Sequence, residues 1–441
     1  MKTIAKKYLL PFVLVTVCFA LWGFANDITN PMVKAFSKIF RMSVTDGALV
    51  QVAFYGGYFC MALPAALFIR KFSYKAGLLM GLGLYAIGAF LFLPAQTVGT
   101  YYPFLLAYFV LTCGLSFLET SANPYILSMG NPETATRRLN LAQAFNPIGS
   151  LAGMFVAMNF IQARINPMDS AARAQLDTAD FEALKTSDLA VLSKPYISIG
   201  IILAILFILF LIFLPKERKS DNHENGAAVH ADSSFSGTVR RLWNNRRYRY
   251  GVVAQFFYVG VQIMCWTFII QYGTRIFMAE GMGEQASEIL AQRFNIFAML
   301  IFCGSRFICT FLMKYIRPYR LLAFFGTVGI VLLGCVVFSS GRMGMYCLVA
   351  VSACMSLMFP TIYGIALQGI GEDAKLGAAG LIMAILGGSV LPPLQAMIID
   401  GNDLGNIPSV NISFVLPMIC FAVIVLYASL NPRMMNMNKE K

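Results

Sequence analysis

The sequence predicts an all-α membrane protein, with twelve transmembrane helices in two pseudo-symmetric six-helix bundles. Three observations carry this. The 441-residue chain is 58% hydrophobic and only 12% charged, whereas a soluble domain carries about 25% charged residues. Twelve apolar segments reach spanning length. A polar, basic stretch then divides these segments six and six.

A spanning helix needs about 20 mostly apolar residues. Such segments lie at 9–30, 48–69, 76–95, 102–127, 139–161, 195–215, 250–273, 291–313, 320–338, 343–368, 376–398 and 411–430. The fourth, fifth and eleventh contain polar or Gly/Pro breaks. The opening MKTIAKKYLLPFVLVTVCFALWGF has the basic start and apolar run of a signal peptide. No small-x-small cleavage site follows, so the expectation is an uncleaved first span. No ten-residue alternation suggests a barrel. The ten cysteines all fall in apolar runs without metal-ligand spacing, and the two histidines, His223 and His230, share one polar stretch. The cysteines read as small buried hydrophobes rather than disulfides or metal ligands.

The stretch 216–248 (KERKSDNHENGAAVHADSSFSGTVRRLWNNRRY) reads as a cytoplasmic linker. It gives an N-terminal bundle at 9–215 and a C-terminal bundle at 249–430. With both ends inside, the inner loops hold 23 Lys and Arg and the outer loops 9, the positive-inside bias. The +13 net charge is then a topology signal, and no soluble basic face suggests a nucleic-acid partner. Lys34, Lys38 and Arg41 run against the bias; a short amphipathic extension of the first helix past the membrane accounts for them. The other long loop, 163–194, contains SAARAQLDTADFEALKTSD and reads as a charge-balanced helix on the outer surface, a solvated cap or a ligand-binding element.

The halves echo each other. WGFAND at 22–27 in span 1 matches WTFIIQ at 266–271 in span 7. The basic junction IRKFSYK after span 2 matches MKYIRPYR after span 8. Parallel repeats of this kind place a substrate site at mid-membrane, between the halves.

Ionisable residues within spans are functional candidates by default. This chain has Asp27 in span 1, Glu119 in span 4, and Arg293 and Arg306 in span 8. Glu119 is followed one turn later by Asn123, on the same helical face. Desolvation disfavours the charged form of a carboxyl group, so Glu119 suits a proton site whose access alternates. It equally suits a neutral acid bonded to a neighbouring helix. Asp27 is either a second proton site or a solvated residue near the surface. Arg306 can pair with a carboxylate or a carbonyl, or mark the inner mouth.

In span 5, Asn140, Gln143 and Asn146 recur every three residues. In span 7, Gln255, Tyr258, Gln262 and Trp266 form one stripe. Amides donate and accept hydrogen bonds, which suits vicinal hydroxyls, and aromatic rings cover the apolar face of a pyranose. The alternative is that these side chains join helices to one another. Gly and Pro in spans 10 and 11 (Pro360, Gly377, Gly380, Gly387, Gly388, Pro392, Pro393) permit close contact and kinks.

WGFANDITN, FYGGYF, FSYKAG, FLETSANPY, RLNLAQAFN, AQFFYVGVQ and FPTIYGIALQGIGEDAKLGAAGLIM together resemble the fucose–proton symporter family of the major facilitator superfamily, its L-fucose carriers most of all. The resemblance runs in order through residues 9–430. It implies the major facilitator fold in a bacterial inner membrane, working as a monomer. It implies symport of a monosaccharide with a proton as coupling ion and no other cofactor. The family's helix 4 carboxylate falls on Glu119 and its helix 5 amides on Gln143 and Asn146. Its helix 1 aspartate falls on Asn30, so either Asp27, three residues earlier, takes that role or Glu119 carries the proton alone. The sugar-contacting set expected is Asn26, Asn30, Asn123, Gln143, Asn146, Gln255, Tyr258, Gln262, Trp266 and Tyr363. Other hexoses (galactose, glucose, N-acetylglucosamine) and uniport are the neighbouring alternatives. A membrane sugar sensor lacks a signalling domain here, and an intramembrane enzyme lacks a recognisable motif.

Overall fold

The structure, a computed structural model, describes residues 8–29, 32–42, 49–162, 164–166, 168, 173, 175–214, 235–339, 341–399, 401–405 and 407–437. Among the described residues, twelve helical segments are long and apolar enough to cross a membrane: Leu9–Thr29, Val52–Lys71, Tyr74–Val98, Tyr101–Ser128, Pro132–Ile161, Thr178–Phe213, Arg246–Ala279, Ile289–Leu312, Pro318–Phe338, Arg342–Ala366, Gly371–Ile399 and Ser409–Asn431. These are spans 1 to 12 below.

Several boundaries differ from the sequence reading. Span 6 begins at Thr178, because the helix-forming run ADFEALK propagates without a break into the apolar segment. Span 7 begins at Arg246, where Asn245 caps the helix by accepting from the Tyr248 N–H at 3.2 Å. The expected linker therefore contains a helix, Phe235–Asn244, and the first turn of span 7; residues 215–234 lie outside the described set. The Arg241 side chain grips Asp373 through two bonds of 2.7 and 2.8 Å. After span 1, Met32–Phe40 forms a separate short helix with Phe36 and Ile39 buried.

Contacts group the chain into two compact units. The first takes Ala5–Met129 and Phe145–Ala228. The second takes Gly130–Ala144 and Val229–Lys441. Within the first, span 1 packs on the second half of span 5, spans 2 and 3 on span 4, and span 6 on span 3. Within the second, span 7 packs on span 11, spans 8 and 9 on span 10, and span 12 on span 9. The pairing repeats with an offset of six spans. The matching contacts use matching glycines. A Cβ on Gly149 would sit 1.7 Å from the Ala20 carbonyl oxygen, and one on Gly387 would sit 2.0 Å from that of Phe256. Only glycine lets these backbones touch.

Span 5 is broken. Its first helix is Ala135–Gln143 and its second Asn146–Val156, and the unit boundary falls between them. Pro147 has no N–H for the Gln143 carbonyl, its partner in a continuous helix. Span 10 is broken in the same way, into Arg342–Met355 and Met358–Ala366. There Pro360 leaves the Ser356 carbonyl without its helical donor.

Candidate functional site

In the first unit the site is built around Glu119, which is 4% exposed on the unbroken helix of span 4. The Tyr58 hydroxyl, from span 2, hydrogen-bonds to its carboxyl group. Tyr58 in turn accepts from the Trp22 indole N–H of span 1 at 2.7 Å. The second carboxyl oxygen, Oε2, has no partner and is sealed from the surface. Glu119 thus ends a chain of polar atoms, Trp22–Tyr58–Glu119, that crosses three spans. Ser116, one turn earlier in span 4, donates to the Tyr58 carbonyl at 3.1 Å and fixes span 2 beside it. Asn123 lies one turn after Glu119, and its amide donates to the Glu119 main-chain carbonyl at 3.0 Å.

Asp27 is 9% exposed, and Tyr55 of span 2 lies in its electrostatic reach. Tyr55 and Tyr58 are three residues apart, so they share one face of span 2. Asn26 is half-buried. Asn30 lies outside the described residues. Asn146 is half-buried and donates to the Phe19 carbonyl of span 1 at 3.1 Å.

The second unit carries the other cluster. The stripe Gln255, Tyr258, Gln262 and Trp266 lies on one unbroken helix, as its spacing predicts. Burial grades along it: Gln255 and Tyr258 are fully buried, Gln262 and Trp266 half-buried. Both amide atoms of Gln255 lack any hydrogen-bond partner. Buried amides are almost always satisfied, so Gln255 is a side chain in need of a ligand or water. Tyr258 donates to the Met355 carbonyl at 3.1 Å. The Trp266 indole donates to the Ser352 hydroxyl at 3.2 Å. Phe359 stands between Tyr258 and Tyr363, with centroids 6.2 and 6.3 Å away.

Arg306 is 3% exposed, whereas Arg293 is exposed. Of the pairings open to Arg306, the structure adopts carbonyls. Its Nη1 donates to the Gln143 oxygen at 2.9 Å and its Nε to the Ser356 oxygen. The guanidinium lies 4.6 Å over the Phe302 ring. Gln143 is 5% exposed. Asn140, fully buried, donates to the Thr136 carbonyl and to the Thr361 hydroxyl of span 10. The span 5 amides Asn140 and Asn146 therefore bond to different neighbours. Asn146 opens the second helix of span 5, beyond the break, and its bond is to span 1.

Tyr55, Tyr58, Phe302 and Ser352 were not singled out from sequence. FYGGYF did offer a signal for the first two, since hydroxyls at helical spacing within a span need polar partners. Among the described residues, no three His, Cys, Asp or Glu side chains come together as a metal site.

Such a chain is a polytopic membrane protein that buries Asp27, Glu119 and Arg306 within its spans. Residues 15–392 match the family model described as Major Facilitator Superfamily. The sequence is 51% identical to the L-fucose-proton symporter of Haemophilus influenzae, over 97% of both chains. It is 31% identical to the glucose/galactose transporter of Brucella abortus, over 96% of this chain and 94% of that one. The fold matches the crystal structure of a Major Facilitator Superfamily transporter, FucP, in the outward conformation. The TM-score is 0.85 at 31% identity, covering 97% of this chain and 99% of that one. The chain belongs to the Major Facilitator Superfamily.

Proposed function

We propose that this protein imports L-fucose by proton symport, through alternating access in a bacterial inner membrane with both termini in the cytoplasm. The observation that carries this is the 51% identity, end to end, with an L-fucose-proton symporter. The chemistry of the chain supports it. Glu119, sealed with one free carboxyl oxygen beside Tyr58, is the proton site, with Asp27 as its partner acid. Asn26, Asn30, Asn123, Gln143, Asn146, Gln255, Tyr258, Gln262, Trp266 and Tyr363 supply the sugar contacts. Sugar and proton must each favour the state the other favours, since coupling is a reciprocal free energy. The protein acts as a monomer, with bundles at 9–215 and 249–430.

The glucose/galactose relative favours a second reading, in which the sugar is glucose or galactose. Counterflow in proteoliposomes separates the two, with L-fucose, D-galactose, D-glucose and N-acetylglucosamine offered in parallel. L-Fucose should exchange fastest, and an imposed proton gradient should drive its accumulation. Faster exchange of D-glucose or D-galactose replaces the substrate. No exchange of any sugar removes the transport reading.

A further inference from the structure

Pro147 and Pro360 each remove an N–H from a helix and so free one carbonyl four residues earlier, on Gln143 and Ser356. A buried carbonyl left bare is costly. One guanidinium answers both: Arg306 Nη1 bonds the Gln143 oxygen and its Nε the Ser356 oxygen. Arg306 therefore stands in for two missing helical hydrogen bonds, in two different spans. Its other neighbours support members of the sugar set. The Phe302 ring beneath it packs edge-to-face on Trp266 at 4.9 Å. Tyr258 lies in its electrostatic field and bonds Met355, the residue before Ser356.

We propose that Arg306 is a positioning residue of the sugar site, pinning the proline breaks of spans 5 and 10 and through them placing Gln143, Tyr258 and Trp266. The proposal rests on the transport reading for its kinetic arm only. A lysine presents a point charge rather than a planar fork, so it cannot span two carbonyls as arginine does. Pro147→Ala returns an N–H to the Gln143 carbonyl and supplies one of the two bonds by another route.

The test is a double-mutant cycle on the full chain in proteoliposomes, with Arg306→Gln, Arg306→Lys, Pro147→Ala and the pair Arg306→Gln/Pro147→Ala. Arg306→Gln should raise the KM for sugar exchange about tenfold or more, the scale of losing charge-assisted hydrogen bonds, with a smaller change in maximal rate. Arg306→Lys should recover part of it. In the Pro147→Ala background the same substitution should cost distinctly less. Amide hydrogen exchange gives a readout that needs no sugar: segments 136–146 and 353–361 should exchange faster in Arg306→Gln, with the remaining spans unchanged. Costs that simply multiply across the cycle, or exchange rates at the two breaks that do not move, overturn the proposal. If the wild type exchanges no sugar, the transport reading falls, and the amide arm alone decides the role of Arg306.

Discussion

Each unit seals an ionisable side chain inside a span, and the two solve the problem in opposite ways. Glu119 of the first unit keeps one carboxyl oxygen without a partner and the other beside a tyrosine. Arg306 of the second is held by two carbonyls and an aromatic ring. A carboxyl group can shed its charge by taking a proton; a guanidinium in a protein cannot. The first arrangement therefore suits a group that changes state during a cycle, and the second a group that stays charged and bonded to protein dipoles throughout. The open carboxyl oxygen of Glu119 is what the proposed proton site needs, and the two carbonyl bonds of Arg306 are what a support needs.

The largest expected effect tests that division directly. Glu119→Gln keeps the shape and removes the titration. Accumulation of sugar against its gradient should collapse to equilibration, while exchange of sugar for sugar persists. A variant that still concentrates sugar under a proton gradient would show that Glu119 is support after all.

The next effect is on stability. The first unit also buries an ion pair: Arg173 and Asp188 meet at 2.6 Å with side chains 0% and 3% exposed. The same guanidinium bonds the carbonyls of Asn166 and Met168, and Asp188 accepts from the Asn166 N–H. The segment expected as a solvated cap thus hides two of its charges, because each cancels the other. Removing one partner of a buried pair leaves a bare charge and costs about 3–5 kcal/mol. Asp188→Asn should lower the thermal midpoint sharply without altering which sugar is exchanged. A midpoint within error of wild type would mean that water reaches Arg173.

Much of this was legible in the sequence. The twelve spans follow from apolar length, and the offset-of-six repeat from WGFAND against WTFIIQ. Glu119 stood out because a carboxyl in hydrocarbon is rare. The Gln255–Trp266 stripe was legible because nothing interrupts helix 246–279. Span 5 was legible only in part, for the converse reason. Pro147 interrupts the helix, and the group that takes up the freed carbonyl, Arg306, lies 163 positions from Gln143. Tyr58 was missed for a related reason. Its role exists only once Ser116 brings span 2 against span 4, and single-helix periodicity carries no such information.

A middle-sized effect sharpens the comparison within the second unit. Gln255 is the member of the stripe with both amide atoms bare. Unsatisfied buried polar atoms cost about 1–3 kcal/mol each. Gln255→Leu should therefore raise the thermal midpoint of the sugar-free protein. If the amide meets a sugar hydroxyl, the same variant should lose about tenfold in sugar affinity, the scale of one charge-free hydrogen bond with its desolvated partner. A stabler protein with unchanged affinity would make Gln255 an internal defect rather than a contact.

The smallest effect sets the exposed ion pairs of the second unit against the buried pair of the first. Arg342 bonds Glu280 at 2.7 Å, joining the end of span 7 to the start of span 10. Both side chains are largely open to water, where such pairs contribute little and salt screens them. Hydrogen bonding from Arg342 holds the Glu280 carboxyl below its ordinary range. A carboxyl lowered by folding contributes stability that is fully present above its unfolded pKa and fades as the pH falls through the folded value. Glu280→Gln should therefore match wild type in acid and fall slightly below it at neutral pH, with added salt closing the gap. A drop at neutral pH as deep as that of Asp188→Asn, or one that survives high salt, would mean that this pair is shielded as the Arg173–Asp188 pair is.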